Sequence, residues 1–113
     1  MVREGYGGSE MNSLNSILIE GNLLDDPVEN DGKCAFVITS DRFYRNGEVT
    51  EKETSYFTIE VFGKLGKACM YELKKNRGVR VVGKIKQLGI DSKMAVVAEY
   101  VDFKPKRNVL TNI

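Results

Sequence analysis

Between Ser55 and Phe62 the chain alternates apolar and polar positions without a break. Phe57, Ile59 and Val61 fall on one side of an extended segment, and Tyr56, Thr58, Glu60 and Phe62 on the other. A period of two is that of a strand with one buried face, so the first set is read as core. The second set places two aromatic rings beside a carboxylate. A buried face does not accept a lone charge, so this side is expected to open to solvent or ligand. The same signature recurs from Val79 to Lys86, where Val79, Val81 and Ile85 alternate with Arg80, Val82, Lys84 and Lys86, parting an apolar side from a basic one. Ile17, Leu18 and Ile19, bounded by Gly21 and then by Asp25, Asp26 and Pro27, predict a first strand and its turn. A second strand is predicted from Cys34 to Ser40, joined to the Ser55–Phe62 strand by a hairpin at Asn46-Gly47, two residues that tolerate positive φ. A last strand is predicted from Met94 to Phe103.

After Gly63 the period changes. Leu65, Ala68, Cys69, Met70 and Leu73 recur at helical spacing with lysines on the remaining surface, which predicts a short amphipathic helix over 65–75, ended by Asn76 to Gly78. The order is three strands, one helix, two strands, with no internal repeat. It predicts an all-β protein, a five-stranded barrel with one short helix between strands three and four. That is the OB-fold arrangement, whose sheet face and loops bind oligonucleotides or oligosaccharides. Residues 1–10, with three glycines and little to bury, are expected to be a flexible arm. Residues 11–104 are expected to form the domain, and residues 105–113 a tail that frays.

A chain of 113 residues has room for one such domain, and 42% apolar with 29% charged residues is ordinary globular usage. No apolar run approaches the roughly 18 residues of a membrane span, and no basic stretch precedes an apolar core at the N-terminus, so a soluble, cytoplasmic protein without membrane partners is expected. Histidine is absent, which removes the commonest general base and the commonest metal ligand together. Cys34 and Cys69 lie far apart with no further ligand beside them, so they read as buried free thiols and neither a metal nor a cofactor is expected. The carboxylates Asp25, Asp26, Glu29 and Asp31 read as a solvated turn, and no base can be named to activate a serine or threonine. An enzyme is therefore not expected.

The net charge of +1 conceals a segregation. Residues 1–63 hold 5 basic and 12 acidic side chains, whereas residues 64–86 hold Lys64, Lys67, Lys74, Lys75, Arg77, Arg80, Lys84 and Lys86 against Glu72 alone. Phosphate binding responds to the local field rather than to the sum. A basic block also aids solubility, and charge by itself leaves both readings open. Single strands are held by a positive groove for the backbone and by aromatic rings on which bases stack. The chain offers both. Tyr56 and Phe62 share a strand face, Phe43 lies beside Tyr44 near the hairpin, and Lys64, Arg80, Lys84 and Lys86 supply charge. The ring of Phe43 would equally serve to complete the barrel, and that of Tyr44 is read as completing it rather than stacking.

Four segments, taken in order, carry a family likeness: Ile17-Leu18-Ile19-Glu20-Gly21-Asn22-Leu23 followed by Asp26-Pro27; Val61-Phe62-Gly63-Lys64-Leu65; Tyr71-Glu72-Leu73-Lys74-Lys75; and Val79-Arg80-Val81-Val82-Gly83-Lys84. Over about Asn12 to Phe103 the chain resembles the bacterial single-stranded DNA-binding protein family. The resemblance implies an OB-fold that forms a homotetramer and coats single-stranded DNA without sequence preference. It further implies protection of that DNA during replication, repair and recombination, beside the nucleoid, with replication and repair proteins as partners. By position, Phe43 and Tyr56 fall where the family has stacking tryptophans, Phe62 on its stacking phenylalanine, and Lys64 and Lys86 on basic positions that contact phosphate.

The departures mark a divergent member. Both tryptophan positions carry smaller rings, Thr58 stands at a basic position, and Glu60 brings a negative charge to the same face. The segment from Val28 to Lys33 is shorter than the family's first loop, and Leu88 to Lys93 replaces a longer hairpin. Where the family has an acidic tail, this chain has Lys104, Lys106, Arg107 and Ile113. A smaller DNA footprint is expected. These changes also leave room for an interaction module or primosome-like accessory with little DNA affinity, and for an RNA-directed OB protein.

Overall fold

The computed structural model describes residues 13–90 and 93–105. The expected arm at residues 1–10 and all of the expected tail except Pro105 lie outside the described residues. Along the chain come β1 (Ile17–Leu23), β2 (Val28–Asn30), β3 (Lys33–Asn46), β4 (Val49–Phe62), α1 (Gly63–Glu72), β5 (Gly78–Gln87) and β6 (Met94–Phe103). Neighbouring strands run β1-β5-β6-β4-β3, and β1 returns onto β3 to close the ring. The barrel thus has the five strands expected, in the OB-fold order.

Closure rests on β1. Ile17 to Asn22 pair antiparallel with Gly83 to Gly78, while Asn22 and Leu23 pair with Thr39 and Ile38 of β3. The strand changes partners beside Gly21, where any Cβ would run into the Thr39 carbonyl oxygen. Inside the ring, Leu23, Phe36, Ile38, Ile59, Val61, Val79 and Val81 are buried, and Cys69 and Leu73 join them from the segment around α1. Burial and the neighbouring Cys34 push the Cys69 thiol up to about 12, so it serves the core as a small neutral group.

β3 and β4 extend well past the predicted Ser40 and Ser55. Beyond the barrel both faces of this hairpin meet water, so the apolar alternation that marks a strand is lost. Side-chain bonds hold the arm instead: Thr54 Oγ1 donates to Asp41 (2.7 Å), Arg42 Nε pairs with Glu53 (3.1 Å) and Tyr44 Oη donates to Glu51 (3.2 Å). The turn sits one residue later than predicted. Asn46 pairs with Val49, which makes Gly47 and Glu48 the central residues, and only Gly47 of the two has positive φ (69°). Within Val28 to Lys33, expected as a loop, Val28–Asn30 fold back on β3 as β2 and Lys33 begins β3. Asp31 (φ 53°) and Gly32 (φ 77°) supply the two left-handed residues of a tight hairpin, a signal the sequence carries in plain view.

The helix covers 63–72, not 65–75. Gly63, at φ 66°, turns the chain out of β4. After Leu73 the backbone docks on the β1 turn and abandons helical pairing: Lys75 N–H donates to Asp26 (2.8 Å) and Asn76 N–H to the Leu23 carbonyl (2.9 Å). Gly66 rather than Ala68 faces the core, where it lies against the Val61 carbonyl. In β6 an extra residue, Glu99, separates the pairs Gly83–Ala98 and Val82–Tyr100. This bulge switches the inward set from Val96 and Ala98 to Val101 and Phe103. Ile85, predicted as core, is 41% exposed because β1 ends opposite Gly83 and leaves the end of β5 uncovered.

Replacing Gly21 by alanine is expected to cost about 1–3 kcal/mol by forcing β1 off β3. Urea unfolding checks this: a lowered midpoint with an unchanged slope is the expected result, and an unmoved midpoint contradicts the role given to Gly21.

Candidate nucleic-acid interface

Because β3 and β4 pair without a register shift from Lys33–Phe62 to Asn46–Val49, one parity faces outward along the whole hairpin. Phe43 opposite Lys52, Thr39 opposite Tyr56, Val37 opposite Thr58, Ala35 opposite Glu60 and Lys33 opposite Phe62 therefore share a single face. On it Phe43 and Tyr56 are 65% and 64% exposed and Phe62 is about half-exposed. None of these rings fills the barrel. Tyr44 does not fill it either: it stands on the other side of the arm, bonded to Glu51 with the Arg42 guanidinium 4.8 Å above its ring.

The face continues across β6 to β5. Glu60 neighbours Val97, and Val97 pairs with Lys84; one step along, Lys86 pairs with Ala95. Lys64 follows directly, because Gly63 turns the chain into α1 immediately after Phe62. Lys64, Lys84 and Lys86 are exposed, and among the described residues none of them forms an ion pair. Three rings and three cations named from the sequence are thus brought to one continuous surface. Arg80 is not with them. It lies in the row Glu20–Arg80–Asp102 across β1, β5 and β6, where its Nη2 is 2.6 Å from Glu20. Arg80 first, and then Lys104, hold the Glu20 carboxyl below its ordinary range.

Glu60 corrects the expectation of a uniformly open face. It is only 5% exposed, and it is tolerated because Lys33, diagonally across from it on β3, brings its Nζ to 2.9 Å from Oε2. Oε1 is buried without a hydrogen-bond partner among the described residues. The same Lys33 Nζ lies 5.8 Å from the centre of the Phe62 ring. Lys33 was missed as a site residue because its place depends on register; a turn centred one residue earlier would slide every pair by two. The register also adds Arg45 and Lys52, on the same side of the arm as Phe43. Among the described residues no group of His, Cys, Asp and Glu side chains is arranged to hold a metal ion.

Residues 14–102 match the model of the single-strand binding protein family, and the chain belongs to that family. Its fold is shared with a Plasmodium falciparum single-stranded DNA-binding protein solved in complex with single-stranded DNA (19% identity, TM-score 0.69, covering 83% of this chain and 97% of that one). A small single-stranded DNA-binding protein from Streptomyces coelicolor is similar over 87% of this chain and all of its own (20% identity, TM-score 0.70). A deletion mutant of the single-stranded DNA-binding protein from Thermus aquaticus is similar over 83% of this chain and 52% of its own (18% identity, TM-score 0.69). A comparison with curated protein sequences finds no match.

Lys33→Met is expected to destabilise the protein by about 1–3 kcal/mol, since it strands a buried carboxylate. Adding Glu60→Val should recover most of the loss, because the charge that needed a partner is gone. Urea midpoints of the two single variants and the double variant check this; additive losses would show that the two side chains do not depend on each other.

Proposed function

We propose that this chain binds single-stranded DNA without sequence specificity and protects it during replication, repair and recombination, acting by coverage and not by catalysis. The observation that carries this reading is the row of exposed rings, Phe43, Tyr56 and Phe62, on one sheet face bordered by lysines 64, 84 and 86, which form no ion pair among the described residues. Each base stacked on a ring contributes about 1–3 kcal/mol, and every base has a face to offer, so such a surface is indifferent to sequence. A duplex keeps its bases stacked inside and presents none to these rings. Phosphates between stacked bases meet the lysines, whose charges are not spent on carboxylates. The family and the relative solved with single-stranded DNA support the same reading.

Coating in homo-oligomers, as a tetramer, is part of the proposal. Leu18, Val82 and Tyr100 form a direct cross-strand row over β1, β5 and β6, and Leu18 and Tyr100 stand largely in water. A second copy packed on that row would cover it while leaving the ring face free. The Lys33–Glu60 pair favours a second reading, a protein-interaction module with weak DNA affinity, because it withdraws one cation from phosphate and lays it against Phe62.

The chain has no tryptophan, so the test uses a labelled oligo-dT of roughly 35 nucleotides, several times the site size of one OB domain. Binding should weaken with salt at a log-log slope of about −0.7 per phosphate neutralised, with duplex of equal length ignored. Changing Tyr56, Phe62 and Lys64 together to alanine should abolish measurable binding. Unchanged affinity of that triple variant would contradict the site. Absence of binding by the unaltered chain at low salt would leave the interaction module standing.

A further inference from the structure

α1 contacts β3 and β4 and covers the barrel where β4 finishes. At the other end, where β1 has run out opposite Gly83, the side chain of Asn15 substitutes for a strand: Oδ1 accepts from Ile85 N–H (3.0 Å) and Nδ2 donates to the Ile85 carbonyl (2.8 Å). A groove of about 360 Å³ opens here. Inward-facing Ile17, Phe57, Ile85 and Val96 make its floor, and Tyr56 on β4 and Met94 on β6 stand at its rim. Met94 is 55% exposed, so it joins Tyr56 and Ile85 as large apolar groups left in water around one depression.

We infer that this groove is a nucleobase subsite, in which one base of the bound strand lodges between the Tyr56 ring and the Met94 thioether. The assignment rests on the single-strand reading above and extends it to a particular set of contacts. The groove is at the small end of the range for ligand sites, about 300–1,000 Å³, and suits a flat heterocycle rather than a helix. An aromatic ring and a polarisable sulfur are good neighbours for such a heterocycle. Among the described residues none that lines it is acidic, so these walls do not repel a phosphate nearby. Lys86 pairs with Ala95, which also lines the groove, and two strand spacings place Lys86 about 10 Å from Thr58, close enough for a lysine to reach the phosphate of a lodged base. Among the described residues the polar side-chain groups that line it are the Thr58 and Tyr56 hydroxyls, each able to donate or accept, so the base is held chiefly by its faces and its identity is not read.

The test compares the full chain with Met94→Ala on labelled oligo-dT and on an oligomer of equal length made of abasic sites. Met94→Ala should weaken dT binding about three- to tenfold, leave binding of the abasic strand unchanged and melt with the unaltered chain. Equal dT affinity for both proteins overturns the subsite while leaving the single-strand reading intact; failure of the unaltered chain to bind dT removes both. A Met94→Ala variant with intact dT affinity but lower melting or altered sedimentation marks the groove as a packing site for residues 1–12 or for a second copy, and likewise overturns it. Photo-cross-linking with 5-iodouracil in the oligomer gives an independent readout. Adducts on Tyr56 or Met94 are expected, and adducts confined to Phe43 and Phe62 contradict the assignment.

Discussion

β1 has seven residues and two partners. For six positions it completes β5, and at its last two it crosses to β3, with the absent side chain of Gly21 admitting the Thr39 carbonyl at the crossing. This contact turns a sheet with two open edges into a ring, and a ring divides every strand into an inside and an outside. Once inside and outside are fixed, the side chains at Tyr56, Thr58 and Phe62 have nowhere to go but the surface, and Glu60 on the same side is covered by Lys33. The aromatic face is therefore a consequence of closure, and it needs no loop to position it. A rigid sheet holds rings in line without further ordering cost, which matters where each stack contributes only a few kcal/mol.

Charge is arranged on the same frame in two ways. In the row across β1, β5 and β6 at Glu20 the cations are spent: Arg80 and Lys104 both bond Glu20. On the ring face Lys64, Lys84 and Lys86 form no ion pair among the described residues, whereas Lys33 does. That side chain does three things at once: it neutralises a buried carboxylate, lies against the ring of Phe62 and closes a cross-strand diagonal. Any strand reaching Phe62 meets Lys33 there. The pair thus links stability to binding at one point, and removing the carboxylate frees a cation for phosphate.

Much of this was legible in the residues because the barrel is small and its inward positions repeat at a period of two. Phe57, Ile59, Val61, Val79 and Val81 announce the core, and the change to helical spacing after Gly63 announces α1. What escaped detection lies where that period carries no information. The arm beyond Ser40 is solvated on both faces, so its strands looked like loop. Glu99 shifts the inward parity of β6 by one, which no local pattern reveals. Ile85 has the spacing of a core residue and faces a mouth that no neighbouring strand covers. Of the seven residues singled out for DNA, six lie together because they share an outward parity or follow it directly. Arg80 shares the parity too, but its partner Glu20 comes from β1, a neighbour that only the topology supplies.

The outer face of β3 and β4 as the path of the strand is the claim on which the rest depends. Backbone amide shifts of the labelled protein, followed during titration with a short oligo-dT, address it residue by residue. The account predicts that perturbations gather at Phe43, Tyr56, Thr58, Phe62, Lys64 and Lys86, and that Leu18, Arg80 and Tyr100, in the rows across β1, β5 and β6, stay still. Perturbations centred on Leu18, Arg80 and Tyr100, with Tyr56 and Phe62 unmoved, would contradict it.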